Sequence, residues 1–197
     1  MGDYLSIPKA RLSFPTLDTP KAGDYPGAEP RYGCVLLIDK VTCPVATLDA
    51  VKKAIKLELD THFAGRQVKI ALKDGDKPNG QGNIPAGYAG CWVIEPKTKM
   101  RPGLYDENVA SVAPMAVREK FYPGCYVAAQ INFYPFTAKT NAGVAAGLGA
   151  LQFIGHGEKL GGAGLDASKA FAPVAVPGSA AAGNGKSGGD SISDLLG

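Results

Sequence analysis

Aromatic rings and amines recur at outward positions of the strands that this sequence predicts. Side chains alternate over residues 125–136, with Cys125, Val127 and Ile131 on an apolar side and Tyr126 and Tyr134 on the opposite side. Flat rings stack on other π systems, and amines and guanidinium groups attract phosphates. The combination is therefore typical of a surface for an unpaired polynucleotide.

The candidate residues fall into two sets. The residues predicted to stack on bases are Trp92, Tyr105, Tyr122, Tyr126, Tyr134 and Phe136. The residues predicted to contact phosphates are Lys69, Lys73, Lys97, Lys99, Arg101 and Lys139. The alternative is that the rings form a second apolar layer under the N-terminal segment, while the lysines only solvate the surface.

Catalytic patterns are missing from the sequence. His62 and His156 are the only histidines, and no serine or cysteine nucleophile has a suggested partner. Gly185-Lys186-Ser187 ends like a phosphate-binding loop, but Ala180 stands where that motif requires glycine. No metal-ligand spacing appears. We therefore expect a non-enzymatic protein without a cofactor or metal.

Composition favours one β-rich domain followed by a tail. The chain has 197 residues, of which 26 are glycine and 15 proline, and these recur between short apolar runs. From Asp166 onward three acids and two bases give a net charge of −1. Because the whole chain has a net charge of +3, the residues before Asp166 have a net charge of +4. A basic body with an acidic tip is the charge asymmetry that this sequence predicts.

Cysteine usage and the N-terminus bear on the compartment. None of Cys34, Cys43, Cys91 and Cys125 forms a C-x-x-C pair, so we expect reduced cysteines in the core. There is no signal-peptide pattern and no apolar stretch of membrane-spanning length. The prediction is a cytoplasmic protein that does not contact membranes.

Hydrophobic periodicity predicts one main helix among strands. Leu48, Val51, Ile55 and Leu59 share one face of a helix over Thr47–Phe63, with Thr47 as cap and Asp49 in the first turn. Strands are predicted over 32–41, 67–73, 90–99 and 125–136, and a short helix near Val117. Residues 141–164 remain open between helix and strand.

Three regions follow from these patterns. Residues 1–30 are predicted to be a proline-rich arm of irregular edge segments packed on the body, and residues 31–166 the binding domain. Residues 167–197 are predicted to be a flexible Gly/Ala/Ser linker with an acidic tip. The tip is either a frayed end or a peptide that binds partner proteins or competes with DNA, through Asp190, Ile192, Asp194, Leu195 and Leu196.

Several motifs together resemble a family of bacteriophage single-stranded DNA-binding proteins, over roughly residues 30 to 165. They are Gly87-Tyr88-Ala89-Gly90-Cys91-Trp92, Lys97-Thr98-Lys99-Met100-Arg101-Pro102-Gly103, Phe121-Tyr122-Pro123-Gly124-Cys125-Tyr126 and Ile131-Asn132-Phe133-Tyr134-Pro135-Phe136. Gly143-Val144-Ala145-Ala146-Gly147-Leu148, Gln152, Gly157-Glu158 and Leu160-Gly161-Gly162 also fit. The proline-rich start and the Ala/Gly-rich composition of residues 140–150 depart from the pattern of that family.

The resemblance implies a mostly β fold, an OB-type barrel with one main helix. It also implies sequence-nonspecific binding and protection of single-stranded DNA during phage replication, recombination and repair, in the cytoplasm of a bacterial host. Replication or recombination proteins are possible partners of the tip, and the protein is either a monomer or a homodimer. The rival interpretations are a viral structural or assembly protein without DNA-binding activity and, less favoured, a small hydrolase.

Overall fold

The computed structural model describes residues 3–23, 27–138 and 141–161. Eight strands, two α-helices and one 3₁₀ turn (Pro114–Ala116) are present in this part of the chain. They are β1 (Leu5–Lys21), β2 (Arg31–Asp39), α1 (Val45–His62), β3 (Leu72–Asp74), β4 (Cys91–Ile94), β5 (Lys97–Thr98), β6 (Gly103–Tyr105), α2 (Val117–Lys120), β7 (Tyr126–Thr137) and β8 (Ala142–Gly155).

Five of the strands close into a ring. β1 pairs with both β2 and β7, β7 pairs with β8, and β5 joins β8 to β2. The β5–β8 contact is parallel, whereas the other contacts in the ring are antiparallel. Outside the ring, β4 and β3 extend the sheet from β2, and β6 pairs in parallel with β8. The prediction of a mostly β barrel is confirmed.

The barrel interior is filled by alternate residues of its long strands. Val127, Ala129, Ile131 and Phe133 of β7 are buried, as the alternation over 125–136 predicts. A separate apolar cluster lies on the outer side of β2, where Val35, Leu37 and Val93 are covered by Tyr88 and Leu160. A loop and the segment after β8 therefore occupy that outer side.

Most of the predicted N-terminal arm is a strand of the barrel. β1 runs for 17 residues and pairs on both of its sides, so the expectation of irregular edge segments is wrong there. Its prolines fall where the pairing shifts register: Pro8 between Ile7 and Ala10, and Pro15 between Ser13 and Thr16. At such bulges the missing N–H removes no ladder hydrogen bond, which is why proline is tolerated in this strand.

Helix α1 begins earlier than predicted and ends close to the predicted point. Its N-cap is Pro44, no side chain caps it, and its first turn has no acidic residue, so the roles expected for Thr47 and Asp49 are wrong. Val51 and Ile55 are buried, and the helix packs against β7, β1 and β8. Neither described helix is long and apolar enough to cross a membrane.

The segment 67–73 departs from its predicted strand. Only β3, at its end, is a strand, and Ile70 is 46% exposed. Before β3, the backbone pairs through an isolated bridge between Lys69 and Gly143. The predicted strand 90–99 is divided into β4 and β5, because Pro96 interrupts the ladder. The open segment after residue 141 is the strand β8, and α2 lies where a short helix was predicted.

All four cysteines are free. Cys34 and Cys125 are buried, which agrees with their expected role as small core residues. Burial raises the pKa of both thiols, that of Cys125 to about 12. Neither thiol is therefore ionised and reactive at neutral pH.

Candidate nucleic-acid interface

The outer face of the β7–β8 hairpin combines large side chains with very small neighbours. On β7, Asn132 faces Gly147, Tyr134 faces Ala145 and Phe136 faces Gly143. Because paired residues lie on the same side of a sheet, Asn132 and Tyr134 stand beside very small residues of β8. Beside Phe136 the space is filled by the backbone of Lys69, whose carbonyl oxygen would lie 2.1 Å from a Cβ on Gly143. The register therefore creates a trough along the hairpin that ends before Phe136.

A groove of about 350 Å³ lies at one end of this trough and crosses several strands. Tyr4 lies just before β1, Arg31 begins β2, and Asn132 and Tyr134 lie on β7. We call it the tyrosine groove; its lining is Tyr4, Arg31, Lys97, Thr98, Lys99, Asn132, Tyr134, Gly147 and Leu148. Two rings and three cations are thus brought together from the ends or interiors of four strands, β1, β2, β5 and β7.

Two glycines of β8 give the groove its shape. A Cβ on Gly147 would lie 2.2 Å from Asn132 Oδ1 and 3.5 Å from Tyr134 Cε1. A Cβ on Gly149 would lie 2.4 Å from Tyr4 Cε1. Gly149 has no partner on β7, because the register shifts there from Gln130–Ala150 to Ile131–Leu148. A side chain at either glycine would displace a residue that lines the groove.

The charge of the groove is positive but partly compensated. Lys99 forms an ion pair with Glu29, which precedes β2. The hydrogen bond and charge of Lys99, with a smaller contribution from Arg31, hold the pKa of the Glu29 carboxyl below its usual value. Among the described residues, three cations line the groove and one carboxylate, that of Glu29, pairs with one of them, which favours an anionic ligand.

Tyr126 lies at the other end of the outer face, away from the tyrosine groove. The Lys9 amine is 4.8 Å from the centre of its ring. Arg11, its partner on β1, donates from Nη2 to the carbonyl of Glu158 at 2.6 Å and from Nε to the carbonyl of Gly124 at 3.3 Å. Arg11 thus anchors the segment after β8, while Tyr126 and Lys9 form a separate ring–amine pair.

Two other predicted stacking residues have packing roles. Trp92 pairs with Ile38 on the core side of the sheet, with the Lys40 amine 4.7 Å from its ring. The Tyr122 hydroxyl donates to the carbonyl of Gly157 at 3.0 Å and accepts from the Gly157 N–H at 3.1 Å. The Tyr122 ring stacks on the imidazole of His156, with the two ring centres 6.0 Å apart. Neither ring belongs to the tyrosine groove.

The remaining predicted residues are dispersed. Tyr105 lies on β6 opposite Gln152 and is 36% exposed. Lys73 forms an ion pair with Glu95 at 2.8 Å. Lys69 and Arg101 are exposed and do not line the groove. Lys139 and the tail residues Asp190, Ile192, Asp194, Leu195 and Leu196 lie outside the described residues.

Sequence reasoning therefore identifies Tyr134, Lys97 and Lys99 of the groove but misses Tyr4 and Arg31. Tyr4 and Ser6 belong to the face of the chain that points away from the buried Ile7. Alternation at the start of β1 is therefore the pattern from which an outward Tyr4 could be predicted. The prolines that follow obscured it. Arg31 is the first residue of β2 and could have been found only from strand pairing.

The closed ring with a tyrosine-lined, cationic groove defines an OB-fold protein of the type that binds oligonucleotides. A family model described as "Enterobacter phage Enc34, ssDNA-binding protein" matches residues 4–180. The chain belongs to this family.

Individual relatives agree with this assignment. A structure of the single-stranded DNA-binding protein from bacteriophage Enc34 in complex with ssDNA is 26% identical, with a TM-score of 0.69, over 79% of this chain and 88% of that one. Protein p50 of Acyrthosiphon pisum secondary endosymbiont phage 1 is 26% identical over 85% of this chain and 91% of its own length. The single-stranded DNA-binding protein gp2.5 of bacteriophage T7 has a TM-score of 0.54 at 9% identity, over 83% of this chain and 95% of that one, a likeness of fold alone.

Proposed function

We propose that this protein binds single-stranded DNA without sequence preference, through the tyrosine groove. The family to which the chain belongs is described as ssDNA-binding. One of the similar structures is that of the Enc34 protein in complex with ssDNA. The family is thus one of binding proteins, which agrees with the expected non-enzymatic function. The observation that carries the proposal is the joint placement of Tyr4, Tyr134, Arg31, Lys97 and Lys99 around one groove.

Each part of the groove has a distinct task in this proposal. The rings of Tyr4 and Tyr134 stack on bases, which needs no particular base because every base has a π face. Arg31, Lys97 and Lys99 neutralise phosphates of the same strand. Tyr105, Tyr126 and Phe136 lie on the outer face beyond the groove and extend the contact for longer strands.

The biological role follows from this activity. We propose that the protein coats and protects single strands during phage DNA replication, recombination and repair in the cytoplasm of the bacterial host. The C-terminal tip is proposed to recruit replication or recombination proteins through its acidic and apolar residues. The protein is predicted to act either as a monomer or as a homodimer.

Binding of fluorescently labelled single-stranded and duplex oligonucleotides, measured by anisotropy, tests the proposal. The wild type should bind the single strand much more tightly, and Tyr134→Ala should weaken this binding by about 1–3 kcal/mol. Tyr134→Phe keeps the ring and should retain the affinity. Phe14→Ala removes a ring that is 65% exposed but lies elsewhere, so it is the matched control.

Two results would reject the proposal. A viral structural or assembly protein would bind neither oligonucleotide. Equal losses in Tyr134→Ala and Phe14→Ala would show that the tyrosine groove is not the binding site.

A further inference from the structure

Asn132 occupies a central position in the tyrosine groove. It lies on the outer face of β7, two residues before Tyr134, and its Oδ1 atom lies over Gly147. Lys97 pairs with the same glycine from the other side, and Tyr4 lines the groove beside them. A base that stacks on Tyr134 would therefore have one of its edges close to the amide of Asn132.

This amide is available to a ligand. Among residues 3–23, 27–138 and 141–161, no group forms a hydrogen bond with the Asn132 side chain, and the side chain is only half-buried. An amide offers an acceptor oxygen and two N–H donors. The cations of the groove only donate, and the hydroxyls of its tyrosines and of Thr98 each carry donor and acceptor on one oxygen rather than side by side.

The chemical match is to the Watson–Crick edge of a base. Each of the four bases presents a donor beside an acceptor on this edge, and proteins that bind single-stranded nucleic acids hydrogen-bond to it. Rotation of the amide by half a turn exchanges its oxygen and nitrogen, so one asparagine can serve bases of either order. In a duplex the partner strand already occupies these groups.

We propose that Asn132 hydrogen-bonds to the Watson–Crick edge of the base held in the tyrosine groove, and that this contact selects unpaired strands over duplex. The inference rests on the proposed function of the groove. It adds a residue that distinguishes single strands from duplex by chemistry as well as by shape, without imposing a sequence.

The experiment compares two single-stranded probes of about 15 nucleotides, a length within the range that OB folds cover. One is oligo(dT); in the other every thymine is replaced by difluorotoluene, which keeps the shape of the base but forms no comparable hydrogen bonds. Asn132→Leu should bind oligo(dT) about tenfold more weakly than wild type, as expected for loss of one or two hydrogen bonds. On the difluorotoluene probe, wild type and variant should bind equally, and the preference of the variant for oligo(dT) over duplex should fall by the same tenfold.

Gln130→Leu is the matched control, since Gln130 is an exposed amide on the same face of β7 that does not line the groove. It should bind both probes as the wild type does. Equal losses for Asn132→Leu on both probes, or no loss on either, would overturn the inference, because the side chain would then act through shape or not at all.

Tyr134→Ala separates this inference from the function on which it rests. Stacking does not require hydrogen bonds from the base, so this variant should lose affinity for both probes. If the wild type does not bind oligo(dT), or Tyr134→Ala binds both probes normally, the proposed function fails and the role of Asn132 fails with it. If Tyr134→Ala behaves as expected while Asn132→Leu does not, only the role of Asn132 is rejected.

Discussion

The ring of Tyr4 occupies the space that a side chain at position 149 would need. Tyr4 Cε1 lies 2.4 Å from the place where a Cβ of Gly149 would be, and Gly149 is the unpaired residue of a bulge in β8. Tyr4 itself is 53% exposed. The position of this ring in the tyrosine groove therefore depends on the absence of a side chain on another strand.

Gly149→Ala should consequently weaken single-strand binding as much as Tyr4→Ala does. The added methyl group displaces the ring of Tyr4, so one of the two stacking surfaces is lost. The free energy of binding, measured by anisotropy, should become less favourable by about 1–3 kcal/mol. In a double-mutant cycle the two changes should be strongly non-additive, because both remove the same contact. Gly155→Ala, also on β8, meets no atom within 4 Å and should bind normally. Fully additive losses would contradict this relationship.

Arg31→Gln should reduce the salt dependence of binding. Each phosphate neutralised by a cation on single-stranded DNA contributes about 0.7 to the slope of log K against log salt, so the slope should become shallower by about that amount. Lys53→Gln removes an exposed charge on α1, outside the groove, and should leave the slope unchanged. Binding titrations between about 50 and 200 mM salt measure both slopes. An unchanged slope in Arg31→Gln would exclude a phosphate contact by this side chain.

Glu29→Gln should strengthen binding severalfold, because it releases Lys99 from its ion pair and removes a negative charge beside the groove. Lys99 holds the pKa of Glu29 below its usual value, so the carboxylate stays charged throughout the neutral range. The gain should therefore be constant between about pH 5 and pH 8 and disappear as the pH falls through the lowered pKa of this carboxyl. Asp49→Asn on α1 also removes an exposed carboxylate and is the control. A gain that fades between pH 8 and pH 5 would contradict the assignment.

Gly124→Ala should destabilise the fold and release the segment after β8. Gly124 has φ of +111°, and a Cβ there would lie 2.0 Å from the carbonyl oxygen of Glu158, which Arg11 also binds. The strained backbone alone costs about 1–3 kcal/mol, measured by urea unfolding, and the clash adds to it. Limited proteolysis should then cut near residues 155–161.

Gly90→Ala separates the two contributions. Gly90 also has a positive φ, +74°, but a Cβ there would meet no atom within 4 Å. It should cost only the backbone strain and leave the segment after β8 protected. Equal destabilisation and equal cleavage in both variants would show that the contact with Glu158 is unimportant.

Local alternation predicted the central strand of the site but could not find its neighbours. β7 follows its predicted pattern because one side is buried in the barrel and the other faces the trough. The equally regular alternation over 67–73 failed, because that segment pairs only briefly and leaves Ile70 exposed. Local patterns do not predict β1, because proline usually interrupts a strand, whereas Pro8 and Pro15 occupy the bulges of this one.

The groove itself depends on strand pairing, which no local pattern contains. Lys97 meets Asn132 only because β5 and β7 both pair with β8 at Gly147. Tyr4 reaches the same place because β1 pairs with β7. The sequence thus predicts that rings and amines form the site. It does not predict which of the many rings and amines line the groove, because strand pairing decides that.

The way in which the sheet ends has a consequence for the protein at high concentration. Among the described strands, those that pair with only one other strand are β3 and β6, and each is three residues long. Long unpaired edges promote aggregation between copies, whereas edges this short offer few free backbone groups. We therefore expect β3 and β6 to contribute little to association between the sheets of neighbouring copies when the protein is concentrated.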